Sequence, residues 1–240
     1  MESGGARVLP YGDAAVLVEL AGDDVEDLSA RARGLRAAVL DAGVEGIGEC
    51  IVGLRSLLVE IDPRRIQPGD AGEMVRRMLA VAAAQVPEAR HWALPVCFEG
   101  DMAPDLGAVA RAVGMTPAAV IAALCDRALR VALVGHLPGL PYLTGLGPQF
   151  DIPRRATPRT SVTAGSVGVA GRMACVYPQT APGGWHIVGR TPARLVEPGS
   201  ADPVALRPGD LVSIHAVDAA ASEDVESAAE PGLRRLGTRR

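Results

Sequence analysis

The 240-residue sequence predicts an α+β protein with a small α/β domain followed by a β-rich domain, either a barrel or a sandwich. Residues 1–88 alternate strand and helix patterns, whereas the chain after residue 129 consists of short apolar runs separated by glycine and proline. A charged, proline-containing stretch at 87–92 lies between the two patterns. We therefore predict domains at 1–88 and 89–218, and a disordered tail at 219–240 that is poor in large apolar residues.

In the first domain, alternating apolar residues at 7–20 indicate a strand pair or one long bent strand. Residues 23–43 have helical spacing with acidic residues in the first turn, and two strands follow within 44–63. Residues 68–86 are predicted to form a second amphipathic helix, for which Asp70 is the expected N-cap. This order of elements, β–α–β–β–α, predicts a ferredoxin-like outline. It contains no catalytic motif, so we interpret the domain as a scaffold or docking domain.

The second domain is predicted to begin with a strand at 92–98 and two short helices at 105–115 and 116–129. Thr116 supplies a capping hydroxyl to the second helix, and Pro117 suits its first position. Short strands with glycine and proline turns complete the domain, as in barrels and sandwiches. They are expected within 130–135, 151–159, 160–171, 172–178, 181–198 and 206–217.

Composition narrows the chemistry that this chain can carry out. A net charge of −4 gives no global attraction to nucleic acid, and the lack of a long apolar run or leader-like start predicts a cytoplasmic location. The four cysteines form no CxxC pair, which predicts reduced thiols and no metal site. All 24 basic residues are arginine, so this chain has no P-loop lysine and no lysine for biotin attachment.

The most unusual stretch is GHLPGLPYLTGL at 135–146, which combines glycine and proline with four leucines and a tyrosine. Gly135, Pro138 and Gly139 predict a rigid loop at the rim of a barrel, with the phenol of Tyr142 pointing inward. A structural corner that needs unusual backbone angles is the alternative. Because a stiff loop loses little entropy on binding, the first interpretation suits a pocket or a partner surface.

Two further motifs offer groups that bind anions. Arg154, Arg155 and Arg159 in PRRATPR carry guanidinium groups that fit a carboxylate or a phosphate, although a solvated charge run or salt bridges between subunits fit equally. In TAGSV, Gly165 and Ser166 offer backbone N–H groups, or simply form a tight turn between strands.

The segment PGGWHIVGRTP combines two glycines with one of the two tryptophans. Gly183 and Gly184 allow close backbone approach, and Trp185 suits a pocket wall or a subunit interface. Arg190 ends the strand. His186 points to the opposite face from Trp185, and we interpret it as structural. No Ser–His–acid triad can be assembled from the sequence, so the catalytic residues stay unassigned.

Five motifs follow one another in a fixed order: GHLPGLPYLTGL, PRRATPR, TAGSVGVAG, YPQTAPGGWHIVGRTP (which begins at Tyr177) and RPGDLVSI. In this order they resemble the KipI/allophanate hydrolase subunit 1 family. The resemblance is densest over 94–216 and extends weakly to YGDAAVLVEL and RSLLVEIDP in the first domain.

The resemblance implies a cyclophilin-like closed β-barrel for the second domain, related to the carboxyltransferase part of urea carboxylase. It also implies the B subunit of an ATP-dependent 5-oxoprolinase, which opens 5-oxo-L-proline to L-glutamate together with a larger homologous C subunit, and with an ATP-hydrolysing A subunit. ATP is then expected on a partner, with no metal or biotin on this chain. Two alternatives stay open, namely inhibition of a sensor histidine kinase and a carboxyltransferase or allophanate hydrolase-type role in urea metabolism.

The chain departs from the family pattern at four positions. Relatives typically carry phenylalanine where this chain has His136 and Leu140, histidine in place of Cys125 and tyrosine in place of Leu129. We expect these positions to share one neighbourhood, whose shape and polarity would then differ from those of the relatives. Under this hypothesis His136 supplies the imidazole that is missing at position 125.

Overall fold

The computed structural model describes residues 5–79, 88–222 and 232–239. The chain divides into two compact units, of which the first ends at Glu88 and the second covers Ala89–Arg239. Each unit has its own hydrophobic core.

The first unit is a four-stranded antiparallel sheet in the order β1–β2–β4–β3, with both helices packed against its strands. The predicted ferredoxin-like outline is confirmed, but the outer strand β1 precedes the rest and forms a hairpin with β2. The elements are β1 Ala6–Pro10, β2 Ala15–Leu20, α1 Val25–Asp41, β3 Ile47–Val52, β4 Ser56–Ile61 and α2 Pro68–Leu79.

Helix α1 lies within the predicted stretch 23–43 and has the predicted acidic first turn. The Asp24 carboxylate caps it by accepting hydrogen bonds from the backbone N–H groups of Glu26 and Asp27. For α2 the predicted N-cap was wrong. The helix begins at Pro68, whose fixed φ suits the first position, so Asp70 lies inside the first turn. The part of this predicted helix at 80–86 lies outside the described residues.

Arginines from the helices cover the two outer strands of this sheet. Arg36 Nε donates to the Cys50 carbonyl of β3, and an Arg76 guanidinium nitrogen donates to the Val8 carbonyl of β1, each at 3.0 Å. Unpaired strand groups are templates for pairing with another chain. These side chains therefore protect both edges of the sheet.

The second unit is a closed barrel of seven strands in the order β12–β9–β10–β7–β6–β13–β5. Pairing of Arg190 with Cys97 joins β12 to β5 and closes it. Strands β8 and β11 form a separate two-stranded ribbon. The elements are β5 Ala89–Cys97, α3 Leu106–Ala112, α4 Pro117–Cys125, β6 Leu129–Val134, β7 Pro141–Thr144, β8 Arg159–Val162, β9 Ser166–Ala170, β10 Met173–Val176, β11 Ala181–Gly183, β12 His186–Arg190, β13 Leu211–Val217 and β14 Arg234–Arg239.

Helices α3 and α4 add buried side chains to the barrel core. Thr116 Oγ1 accepts a hydrogen bond from Ala119 N at 3.1 Å and Pro117 opens α4, as predicted.

Among the described residues no single helix has the length and apolar composition needed to cross a membrane. Helices α3 and α4 meet both requirements only when taken together, and the chain bends by 91° between them.

Alternate residues of the barrel strands face opposite sides. Val167 and Val169 of β9, like Leu143 of β7, lie in the barrel core. Tyr142 and Cys175, which neighbour core residues in sequence, lie in a second cluster. Because successive strand side chains point to opposite faces, this second cluster covers the outside of the barrel.

Two predictions for the second half were wrong. Of the strand expected at 151–159, only Arg159 belongs to a strand; Pro153 and Pro158 have no N–H to donate to a ladder. Part of the tail expected to be disordered forms β14, which pairs with the first half of β5 and is anchored by buried Leu233. An open strand edge can order even a polar segment, because pairing satisfies the backbone groups of both strands. Residues 223–231 and 240 lie outside the described part of the chain.

Candidate functional site

Most of the motifs singled out in the sequence meet on the outside of the barrel, over strands β7, β10, β9 and β12. We call this group of side chains the outer-face cluster. Tyr142 belongs to it, so the prediction of an inward-pointing phenol was wrong: its neighbour Leu143 fills the barrel, and Tyr142 points the other way. The cluster consists of Leu140, Val162, Ala170, Cys175, Tyr177, Ala181, Trp185 and Ile187, with Leu137, Tyr142 and Met173 packed against it.

The loop between β6 and β7 folds over this cluster as a stiff corner. Gly135 N donates to the Leu140 carbonyl at 2.8 Å, and Leu140 N donates to the Leu137 carbonyl at 3.1 Å. Gly139 has a φ of +74°, and a Cβ there would collide with the Val196 side chain. The loop thus places Leu137 and Leu140 on the cluster, while His136 and Pro138 are exposed.

A guanidinium group lies over the buried tryptophan of the cluster. The Arg154 Cζ atom is 5.4 Å from the centroid of the Trp185 ring, and the Tyr142 ring is 5.5 Å from it at an interplanar angle of 57°. Trp185 is 4% exposed, whereas Arg154 is exposed. The pair is therefore a cation–π contact whose cationic side is open to solvent.

Glycines make room for the aromatic rings. A Cβ at Gly168 would lie 2.7 Å from the Trp185 Cβ, and one at Gly183 would collide with the Tyr177 hydroxyl. The neighbouring carbonyl of Gly184 accepts a hydrogen bond from Arg155 N at 2.7 Å. Gly183 thus leaves room for a ring of the cluster, whereas the Gly184 backbone binds the arginine segment.

The two phenols of the cluster stay protonated at neutral pH. Burial, followed by the nearby Cys175 and Tyr142, raises the pKa of Tyr177 to about 12, although the Arg154 charge opposes the shift. Burial likewise raises the pKa of Tyr142, again against the Arg154 charge, and it raises the pKa of the Cys175 thiol. Together with the Arg154 guanidinium, the cluster therefore offers neutral phenols beside a cation, a combination that can bind an anion.

Asp105 joins the arginine segment to the barrel. Its 6%-exposed carboxylate accepts two hydrogen bonds from Arg159, at 2.8 and 2.9 Å, one from Arg155 at 3.2 Å and one from Ile187 N at 2.7 Å. Burial alone would raise the pKa of Asp105, but the hydrogen bonds and the arginine charges outweigh it and lower that pKa. Arg155 and Arg159 are thus held against the barrel, and within the described ranges Arg154 has no carboxylate partner.

Asp105 was not among the residues singled out from the sequence. It precedes α3, where an acidic residue is typical of an ordinary helix cap, yet its side chain makes no capping hydrogen bond. Its partner Arg159 is 54 residues away along the chain. The sequence offered one indication of a distant acidic partner: the PRRATPR motif has three arginines and no acidic residue.

The Asp105 interactions predict a loss of stability in acid. Because the folded pKa lies below the ordinary value of 3.8, the stabilisation is complete above about pH 5 and is lost as the pH falls through the folded pKa. The advantage of the native chain over Asp105→Asn in unfolding free energy should therefore shrink between about pH 5 and pH 3. Urea denaturation across this range measures it, and a constant difference would contradict the prediction.

The TAGSV turn lies beside the cluster but does not offer free N–H groups. Gly165 N donates to the Tyr177 carbonyl at 2.7 Å, and Ser166 N donates to the Thr163 carbonyl at 3.2 Å. Gly165 has a φ of +80°, as the tight-turn alternative requires. Arg190 ends β12, where it pairs with Ser166 as well as with the closing strand β5.

His186 Nε2 lies 2.9 Å from the Pro153 carbonyl, consistent with a structural role. In the three described ranges no three His, Cys, Asp or Glu side chains come together as metal ligands.

The four positions that depart from the family pattern do not share one neighbourhood. Cys125 and Leu129 pack on the barrel core at the start of β6, whereas Leu140 lies in the outer-face cluster and His136 in the loop, both beyond the far end of that strand. The length of this strand separates the two places by roughly 17–20 Å. This separation removes the basis for the hypothesis that His136 replaces an imidazole at position 125.

The chain is similar to a known protein family, to curated bacterial proteins and to solved structures. A family model described as carboxyltransferase domain, subdomain C and D, matches residues 6–206. A protein of Escherichia coli O157:H7, named as the B subunit of 5-oxoprolinase, is 35% identical over 207 residues, which cover 86% of this chain and 94% of that protein. The crystal structure of TTHA0988 is 30% identical with a TM-score of 0.72 over 85% of this chain, which spans only 40% of that longer one.

A fourth comparison concerns the fold. Kluyveromyces lactis urea carboxylase matches 96% of this chain with a TM-score of 0.76 at 21% identity, and the chain spans 24% of its length. At this identity the match shows a shared fold. It agrees with the two-part α+β architecture and the closed barrel described above.

Proposed function

Because the chain belongs to the family of the carboxyltransferase domain, subdomains C and D, we propose that it is the B subunit of an ATP-dependent 5-oxoprolinase. The name of its Escherichia coli relative, which it covers almost completely, supports this assignment. The observation that carries a substrate site is the exposed Arg154 guanidinium on the Trp185 ring, beside the half-buried Tyr142. The outer-face cluster then contributes one side of a site that partner subunits complete.

The chemistry of 5-oxo-L-proline fits this surface. The molecule carries one carboxylate and a small, nearly flat lactam ring. Arg154 binds the carboxylate through its guanidinium fork, since it has no carboxylate partner among the described residues. Tyr142 keeps its proton at neutral pH and offers a hydroxyl donor, and its ring offers an apolar surface to the lactam.

The remaining parts of the reaction are assigned to partners. A lactam is a stable amide, so its opening requires activation. ATP transfers its γ-phosphoryl group to the lactam oxygen, water adds to the activated carbon, and the C–N bond breaks to leave an acyl phosphate. A second water hydrolyses this acyl phosphate to L-glutamate and phosphate. We assign ATP to a hydrolysing A subunit, while the rest of the site belongs to a larger homologous C subunit. The absence of lysine from this chain supports placing the nucleotide elsewhere, and no metal or biotin is assigned to it.

Reconstitution tests this function. This chain is purified with both partners, the larger homologous chain and the ATP-hydrolysing chain, and L-glutamate release from 5-oxo-L-proline and ATP is measured. We expect glutamate only when all three chains are present, and none when this chain alone is omitted. Equal rates with and without it, or an assembled complex that makes no glutamate, would contradict the proposal.

A further inference from the structure

The contact between Arg154 and Trp185 joins two segments that strand pairing connects only at the β8–β11 ribbon, where Gly183 is paired with Arg159. Trp185 immediately precedes β12, whereas Arg154 lies in the irregular segment 151–158. Arg154 is exposed and makes no hydrogen bond to a carboxylate among the described residues, so its own side chain is oriented by the cation–π contact. Such a contact is weak at an exposed site and does not order a loop by itself.

The Asp105 carboxylate connects both segments at one point. On one side it accepts three hydrogen bonds from Arg155 and Arg159, which follow Arg154 in the chain. On the other side it accepts one from Ile187 N, two residues after Trp185. We propose that Asp105 is a positioning residue that holds Arg154 over the Trp185 ring; its consequence for substrate binding rests on the proposed function.

The other links to this segment do not replace Asp105. The Pro153 carbonyl lies 2.9 Å from His186 Nε2, and Arg155 N donates to the Gly184 carbonyl, so the first half of the segment is attached through the backbone. Beyond Arg155 the chain runs to Arg159 through residues that are all exposed. Both arginine side chains turn back to Asp105, where a nearly buried carboxylate gives charge-assisted, partly bidentate hydrogen bonds. Backbone groups thus hold the chain on either side of Arg154, and the Asp105 anchor adds the side-chain attachment that ties the residues after Arg154 to the barrel.

Tryptophan fluorescence tests the positioning directly. The chain has two tryptophans, so Trp92→Phe leaves Trp185 as the single reporter. In that background we expect Asp105→Asn to raise the acrylamide quenching constant of Trp185 by about twofold or more, close to the effect of Arg154→Ala, because loss of the guanidinium uncovers the ring. Asp101→Asn, an exposed acidic residue four positions earlier, serves as the matched control and should leave quenching unchanged.

A second variant guards against general unfolding. Arg159→Lys keeps the charge opposite Asp105 but removes the bidentate fork, so quenching should lie between the parent and Asp105→Asn. If Arg159→Lys and folded Asp105→Asn both quench like the parent, the positioning role is overturned.

In the reconstituted complex, Asp105→Asn should raise KM for 5-oxo-L-proline by about tenfold with little change in kcat, as expected for misplacement of a binding group. A complex that makes no glutamate with the native chain refutes the proposed function, while the quenching result still decides the role of Asp105. Increased quenching with an unchanged KM supports the positioning of Arg154 and removes Arg154 from substrate binding.

Discussion

Replacing Asp210 by alanine is expected to lower the free energy of unfolding by about 3 kcal/mol, the largest single effect on stability that we predict. The Asp210 carboxylate is 4% exposed and receives two hydrogen bonds from Arg90, at 2.9 and 2.6 Å. Trp92 Nε1 donates to it at 3.1 Å and Arg207 N at 2.9 Å. Alanine would leave all these donors without their acceptor, and the partly buried Arg90 charge without its counterion.

Asp202 provides the matched control for this experiment. It forms an ion pair with Arg207 at 2.6 Å, but both side chains are more than half exposed, at 55% and 57%. Surface pairs of this kind contribute about 0–1 kcal/mol, so Asp202→Ala should change the unfolding free energy by less than about 1 kcal/mol. Urea denaturation followed by circular dichroism measures both variants. Equal losses for Asp202→Ala and Asp210→Ala would show that burial of the carboxylate does not determine the effect.

Replacing Arg154 by alanine is expected to cause the largest loss of function. If its guanidinium binds the substrate carboxylate, KM for 5-oxo-L-proline should rise by about 100-fold, with kcat changed by less than about threefold. Arg154→Lys retains the charge and loses the fork, so its KM should rise by about tenfold. Steady-state glutamate release by the reconstituted complex measures both variants.

Arg111→Ala is the matched control for Arg154→Ala. Arg111 is an exposed arginine on α3 and is not part of the outer-face cluster, so an alanine there should leave KM unchanged. An Arg154→Ala complex with the native KM would place the substrate carboxylate elsewhere. The same result would leave the 5-oxoprolinase assignment itself untouched, because that assignment depends on glutamate formation with and without this chain.

Several parts of the fold could be predicted because their signals are local. The acidic first turn of α1, the Thr116–Pro117 start of α4 and the alternation within β4 depend on residues a few positions apart. The order of five glycine- and proline-rich motifs pointed to the family and to its barrel. For the site, the sequence indicated Arg154, Tyr142 and Trp185. Aromatic residues are rare in this chain, and these three lie in motifs rich in glycine, proline or arginine.

Other features depend on contacts that close only in three dimensions. Alternation along β7 places Tyr142 and Leu143 on opposite faces, but only closure of the barrel decides which face is the core. Polarity alone suggested that the tail would be disordered; a free edge on β5 makes part of it a strand.

By itself, then, the sequence determined the local elements, the family and the residue types of the site, because periodicity, capping and turn chemistry act over a few residues. The tertiary structure alone decided that two of three neighbouring arginines are bound by Asp105 and that Arg154 is left facing solvent. The physical reason is that a buried carboxylate has to be paired, and it pairs with the hydrogen-bond donors that lie closest to it in the folded protein. A single sequence gives only the separation of residues along the chain, and this separation does not show which arginines come within hydrogen-bond distance of the carboxylate.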